Sequence, residues 1–342
     1  MTNEELKNHL SSIKYPGFSR DIVSFGLVKL AEMVDDTADI HLQIQTKDSA
    51  IPRQIFTEIH ALLDPLLGGP EKVKVGIDIQ DPPAQAGADA GAQSLPGVKN
   101  IIAVASGKGG VGKSTVSANL AVALASQGLK VGLCDCDLYG PSVAHMFGVS
   151  NRNLSSDEND NIIPIVAHGI KLMSMGFLLS DSSPVIVRGP LANRYTQQFL
   201  KQVAWGELDV LILDLPPGTG DIQLTIVQSV ALTGSVIVTT PQEVALIDAR
   251  KAVTMFAKVN VPILGVIENM SWFECNRGTR YPIFGKGGGQ REAKRIKVPL
   301  LAEIPINPST CEHSDDGTPI ALLSNDTAYH TAATQLTAQL KS

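Results

Sequence analysis

Apolar side chains recur along this chain at two different periods, and one stretch between them has almost none. In residues 38–45, ADIHLQIQ, the side chains of Ile40, Leu42 and Ile44 alternate with polar positions. In residues 72–80, KVKVGIDIQ, Val73, Val75 and Ile77 do the same. Alternation puts every second side chain on one face, so both runs predict half-buried strands. Between them PRQIFTEIHALLDPLL has helical spacing, as does NEELKNHLSSI near the start. Residues 1–80 therefore predict a small α+β domain.

Residues 81–97, DPPAQAGADAGAQSLPG, are rich in Ala, Gly and Pro. Such a stretch buries too little apolar surface to order itself and predicts a flexible linker. From residue 98 to 342 the pattern changes again. Short, nearly continuous apolar runs appear: IIAVAS, KVGLCDCD, IKLMSMG, DVLILD, SVIVTT, ILGVIEN and PLLAEIP. Helix-length segments join them. That pattern predicts an α/β domain, a mainly parallel sheet covered by helices on both faces. Ligands of such a sheet sit beyond the carboxyl ends of its strands.

Composition changes this picture little. The 342 residues are 44% hydrophobic and 18% charged, so a core of ordinary size forms without disulfide or metal staples. The net charge of −6 argues against broad nucleic-acid binding, which needs clustered cations. The polar start MTNEELKNHLSS has no apolar leader core, and no apolar run is long enough to span a bilayer. The expectation is a cytoplasmic protein with neither membrane nor nucleic acid as partner. Four cysteines, Cys134, Cys136, Cys275 and Cys311, are then free thiols rather than a disulfide framework.

The chemistry is concentrated after the strand IIAVAS. Residues 107–114, GKGGVGKS, fit G-x-x-x-x-G-K-[ST], and the helical run STVSANLAVALASQ follows and closes at Gly128. A strand before and a helix after give the context in which this motif is a P-loop. Gly107, Lys108, Gly109, Gly110, Val111 and Gly112 supply backbone N–H groups around a phosphate, and the helix dipole assists them. Lys113 reaches the β- and γ-phosphates, the Ser114 hydroxyl ligates Mg²⁺, and Thr115 completes the loop. The run LDVLILDLPPGTGD ends a strand at Asp214, suited to Mg²⁺ through a water, and its turn ends at Asp221 near the γ-phosphate. A second strand end carries Asp135 and Asp137. Asp137 is the favoured carboxylate for orienting the attacking water, and a strand-end cap competes for Asp135. Asn269 either reads an adenine edge or forms a turn.

With GKGGVGKST, DCDLYGPS, DLPPGTGD and IENMSWF together, residues 97 onward resemble the Mrp/Nbp35 family of iron–sulfur cluster carrier proteins, P-loop NTPases related to MinD. Further matching runs are RGPLANRYTQQFL, TTPQEVALIDARKAV, IFGKGGG and EIPINPS. The first 80 residues more weakly resemble a MIP18-like domain. The resemblance implies a homodimeric ATPase with ATP and Mg²⁺ as cofactors, serving iron–sulfur scaffold and recipient apoproteins. It implies that Lys108 crosses to the partner's phosphates, a cation supplied in trans as an arginine finger is. It also implies a [4Fe–4S] cluster bridging two subunits, held by Cys-x-x-Cys loops. Here Cys275 is present and Gly278 stands at the second position, so two subunits offer two thiolates where clusters take four. Cys134 and Cys136 read as small buried hydrophobes, and Cys311 has no ligand role. Two other readings stay open: a positioning ATPase of the MinD/ParA type, and a regulatory ATPase that has lost cluster binding.

Overall fold

The computed structural model describes residues 1–14, 16, 21–23, 26–45, 50–80, 93–137, 140–159, 161–177, 200–323 and 328–341. The chain divides into two compact units, Met1–Ala90 and Gly91–Ser342.

In the first unit, helix α1 (Asn3–Leu10) starts on a capping box in which Thr2 and Glu5 satisfy each other's backbone N–H. Strands β1 (Val28–Val34), β2 (Thr37–Gln45) and β3 (Val73–Gln80) form one sheet, with helix α2 (Ala50–Leu67) between β2 and β3. β1 runs antiparallel to β2, and β3 parallel to it. The alternating Ile40, Leu42 and Ile44 are buried with Ile55, Ile59 and Leu63 of α2, which recur at helical spacing. β1 lacks that alternation, since Ala31 is its one buried residue, and the sequence reading passes over it.

The second unit is built on an eight-stranded sheet. Its strands are β4 (Val98–Ala105), β5 (Val131–Asp135), β8 (Ile165–Ala167), β9 (Ile170–Ser174), β10 (Leu208–Asp214), β11 (Gly234–Thr239), β12 (Ile263–Glu268) and β15 (Leu300–Glu303). Two-residue strands β6 (Ser155–Ser156) with β7 (Ile162–Ile163), and β13 (Phe273–Glu274) with β14 (Arg280–Tyr281), form separate hairpins. The sheet order is β15-β12-β11-β4-β10-β5-β9-β8. All neighbouring pairs are parallel except the edge pair β8–β9.

Its helices are α3 (Lys113–Ser126), α4 (Val143–Met146), α5 (Asp221–Ser229), α6 (Glu243–Lys258), α7 (Gly288–Ile296), α8 (Pro308–Asp315) and α9 (Ala328–Leu340). Alternate residues of the central strand β4 feed two cores. Ile102 and Val104 pack with Val116, Leu120 and Leu124 of α3 and Leu336 of α9. Ile101 and Ala103 pack with Ile226 of α5, Phe256 of α6 and Ala293 of α7. Both faces of the sheet are thus covered, as near-continuous apolar strands require. No helix among the described residues is long and apolar enough to cross a membrane.

Residues 81–92 of the expected linker lie outside the described residues. Gln93 bridges Val230, and Leu95 is buried in the core between α5 and α6, while the other residues of 93–97 are exposed. The one large apolar residue, Leu95, supplies the burial that the rest of the stretch lacks.

Candidate functional site

The loop after β4 owes its shape to close packing on two sides. A Cβ on Gly107 would lie 1.9 Å from the Asp248 carbonyl carbon, so the α6 backbone rests directly on this position. Gly112 has φ +76°, and a Cβ there would lie 2.3 Å from Asn269 Nδ2. Side chains cannot fit at either point. The Ser106 hydroxyl donates to the Lys108 carbonyl (2.9 Å), and Asn269 Nδ2 donates to the Val111 carbonyl (2.9 Å). Asn269 therefore props the phosphate loop from the end of β12. One of its two amide N–H donors is used there, and the second N–H and Oδ1 remain for a further partner.

Lys113 opens α3 and is buried, 6% exposed. Its Nζ donates to Asp214 Oδ1 (2.6 Å) and to Ser114 Oγ (3.2 Å). The Ser117 hydroxyl, one turn along α3, also reaches Asp214 Oδ1 (2.6 Å). Asp214 is wholly buried, and its Oδ2 has no hydrogen-bond partner among the described residues. A buried carboxylate oxygen left unsatisfied beside a P-loop serine is what the water shell of a divalent cation would complete. The Ser114 hydroxyl and Asp214 carboxylate thus fit Mg²⁺.

Asp135 ends β5, and Asp137 follows two residues on. Asp135 is wholly buried and accepts from the N–H groups of Asp137 (3.1 Å), Ser142 (3.0 Å) and Val143 (3.1 Å), and from the Ser174 hydroxyl (3.1 Å). Burial, and then the Asp214 carboxylate, push its pKa up to about 6. Asp137 is half-buried and accepts from the Gly140 N–H (3.2 Å). The sequence reading rightly leaves a capping role open for Asp135; it misses Ser117 and Ser174. Ser117 was legible as the residue four after Lys113 on one helix face, whereas nothing marks Ser174 before the strands are ordered.

Lys108 is half-buried, and its ammonium has no hydrogen-bond or ion-pair partner among the described residues. Gly109 and Gly110 are exposed, Thr115 is half-buried, and Asp221 starts α5 in an exposed position.

Cys275 sits in the β13–β14 hairpin. Its N–H donates to the Thr279 carbonyl (3.0 Å) and its carbonyl accepts from the Gly278 N–H (2.8 Å). The backbone N–H groups of Arg277 and then Thr279 hold its thiol below the usual value. Gly278 has φ +75° with open space around it, so the turn itself favours glycine where the family pattern has its second thiol. Beside the hairpin lies a cavity of about 770 Å³ bordered by Cys275, Arg280, Asn307 and His313. No group of three or more His, Cys, Asp or Glu side chains that could hold a metal occurs among the described residues. Cys134 and Cys136 are buried on one face with their sulfurs 3.8 Å apart. The contact with Cys134 and burial push the Cys136 thiol well up, so Cys136 stays protonated. Cys311 is exposed on α8, its sulfur 3.7 Å from Asp315 Oδ2.

Residues 97–341 match the family model described as ParA, NUBPL iron-transfer P-loop NTPase. The chain belongs to this family. A Deinococcus radiodurans protein named iron-sulfur cluster carrier protein is 44% identical over 94% of this chain and 89% of its own length. A Synechocystis protein of the same name is 41% identical over 99% and 97%. Among solved structures, a nucleotide-binding protein from Archaeoglobus fulgidus in complex with ADP is 41% identical, with TM-score 0.60 over 68% of this chain and 90% of its own. The septum site-determining protein MinD from Pyrococcus horikoshii, complexed with Mg-ADP, is 26% identical with TM-score 0.53 over 71% and 96%. As a P-loop NTPase of this family, the chain is a nucleotide-binding hydrolase built on the MinD-like fold.

Proposed function

We propose that the protein is a homodimeric, Mg²⁺-dependent ATPase that carries iron–sulfur clusters from scaffold proteins to recipient apoproteins in the cytoplasm. What carries the reading is a complete P-loop joined to a hairpin that offers a thiol of lowered pKa, in a chain similar end to end to proteins named iron-sulfur cluster carriers. Mg²⁺ would be held by Ser114 directly and by Asp214 through water, and would neutralise phosphate charge. Nucleotide draws Lys113 from Asp214 towards its β- and γ-phosphates, replacing one charge pair by another. Asp137 then orients the attacking water. Lys108, without a partner among the described residues, is the cation each subunit gives to the site of the other.

Cargo binds at Cys275. Two subunits give two thiolates, and the remaining iron positions are closed by ligands from outside the protein. The glycine at position 278 favours the second reading, a regulatory ATPase without cargo. Anaerobic reconstitution with iron and sulfide separates the two. Carriage predicts visible charge-transfer absorbance and bound iron that Cys275→Ala abolishes. Equal iron in wild type and variant, or none in either, contradicts it.

A further inference from the structure

The Asp135 carboxylate has about four acceptor positions, and four donors in the structure point at it. Oδ1 takes the Asp137 N–H, and Oδ2 takes the Ser142 N–H, the Val143 N–H and the Ser174 hydroxyl, all at 3.0–3.1 Å. These donors come from both ends of the segment that leaves β5 and from the end of β9, the adjacent strand. Ser174 is itself fixed, since its Oγ accepts from the Gly176 N–H (3.1 Å). Three of the four bonds fall on Oδ2, so the carboxylate is engaged chiefly by this segment and by Ser174. It lies wholly buried while Asp137, two residues on, is half-buried at the site.

We propose that Asp135, backed by Ser174, is the positioning residue for hydrolysis: its carboxylate clamps the backbone of Asp137 and of residues 142–143 so that the Asp137 carboxylate meets the attacking water. This rests on the assignment of Asp137 to water orientation above. The sheet ladder stops one residue short of Asp137: beyond β5 its last bond is from the Cys136 N–H to the Asp214 carbonyl (2.9 Å). The carboxylate replaces the missing ladder bonds. Removing it leaves three backbone donors, the Val143 one buried, without this acceptor and loosens the backbone at Asp137. A displacement of the order of 1 Å at a reacting group costs about 10²-fold in rate.

The test compares Asp135→Asn, Ser174→Ala, Ser174→Thr and Asp137→Ala in the full chain. Binding of a non-hydrolysable ATP analogue, kcat for ATP hydrolysis and melting temperature are measured for each. The clamp predicts that Asp135→Asn lowers kcat about 10²-fold while analogue affinity stays within about twofold. Ser174→Ala lowers kcat less, and Ser174→Thr, which keeps the hydroxyl, restores it. Should Asp135→Asn fail to fold, the serine pair decides the matter. Normal kcat in Ser174→Ala, or loss of affinity in step with loss of kcat, overturns the clamp. Asp137→Ala judges the underlying assignment separately: full activity there removes the water-orienting role whatever the other variants do.

Discussion

Lys113 and Asp214 form a buried ion pair with a 2.6 Å contact. Breaking such a pair from one side costs about 3–5 kcal/mol, because the remaining charge stays buried alone. Lys113→Ala is therefore expected to lower the unfolding free energy by that order in denaturant titration and to abolish nucleotide binding in calorimetry. Lys108→Ala should behave in the opposite way. Its side chain has no hydrogen-bond or ion-pair partner among the described residues, so stability and binding persist, while hydrolysis falls by about 10³-fold, as removal of a trans cation does.

Cys275 gives a pH signature. The thiolate is the reactive form, and backbone donors at Arg277 and Thr279 favour it, so reactivity should rise at lower pH than for an ordinary thiol. Iodoacetamide labelling in a Cys311→Ala background should show its midpoint below that of a free cysteine peptide, and a midpoint at or above it contradicts the hairpin geometry. At this scale the sequence marks Lys113 and Ser114 through motif and context. The tasks of Asp135 and Asn269 were not fixed by sequence, because their partners lie on other strands and loops.

Elements position the site by contact, and the tightest contact is α6 on Gly107. Arg250 on the same helix bonds Glu243 and Glu292, tying α6 to α7. Burial pushes the Glu292 carboxyl up, yet hydrogen bonds from Arg295 and Arg250 outweigh it and hold it below its usual value. Helix α6 is therefore anchored and cannot yield to a larger residue at 107. Gly107→Ala should cost about 1–3 kcal/mol by overpacking and weaken nucleotide binding, read by melting curves with and without ADP. Unchanged binding would show that the helix gives way. The parallel strands are legible because both their faces are apolar. The edge strand β8 and the short hairpins are not, since two or three residues carry no period.

At the scale of the whole molecule, the described surface near the site carries exposed apolar side chains at Val244 and Ile247 on α6 and at Ile283 beyond the hairpin. They flank the elements that bear Lys108 and Cys275, and a two-fold arrangement would cover the same patch on both subunits. Fold class was legible from period and motif together. The proposed assembly rests on Lys108, a charge without a hydrogen-bond or ion-pair partner among the described residues. The most direct measurement is the mass of the full chain in solution with Mg²⁺ and a non-hydrolysable ATP analogue, by sedimentation or light scattering. The account predicts a dimer with nucleotide, and a weakened dimer for Lys108→Ala. A wild-type chain that remains monomeric at saturating nucleotide contradicts it.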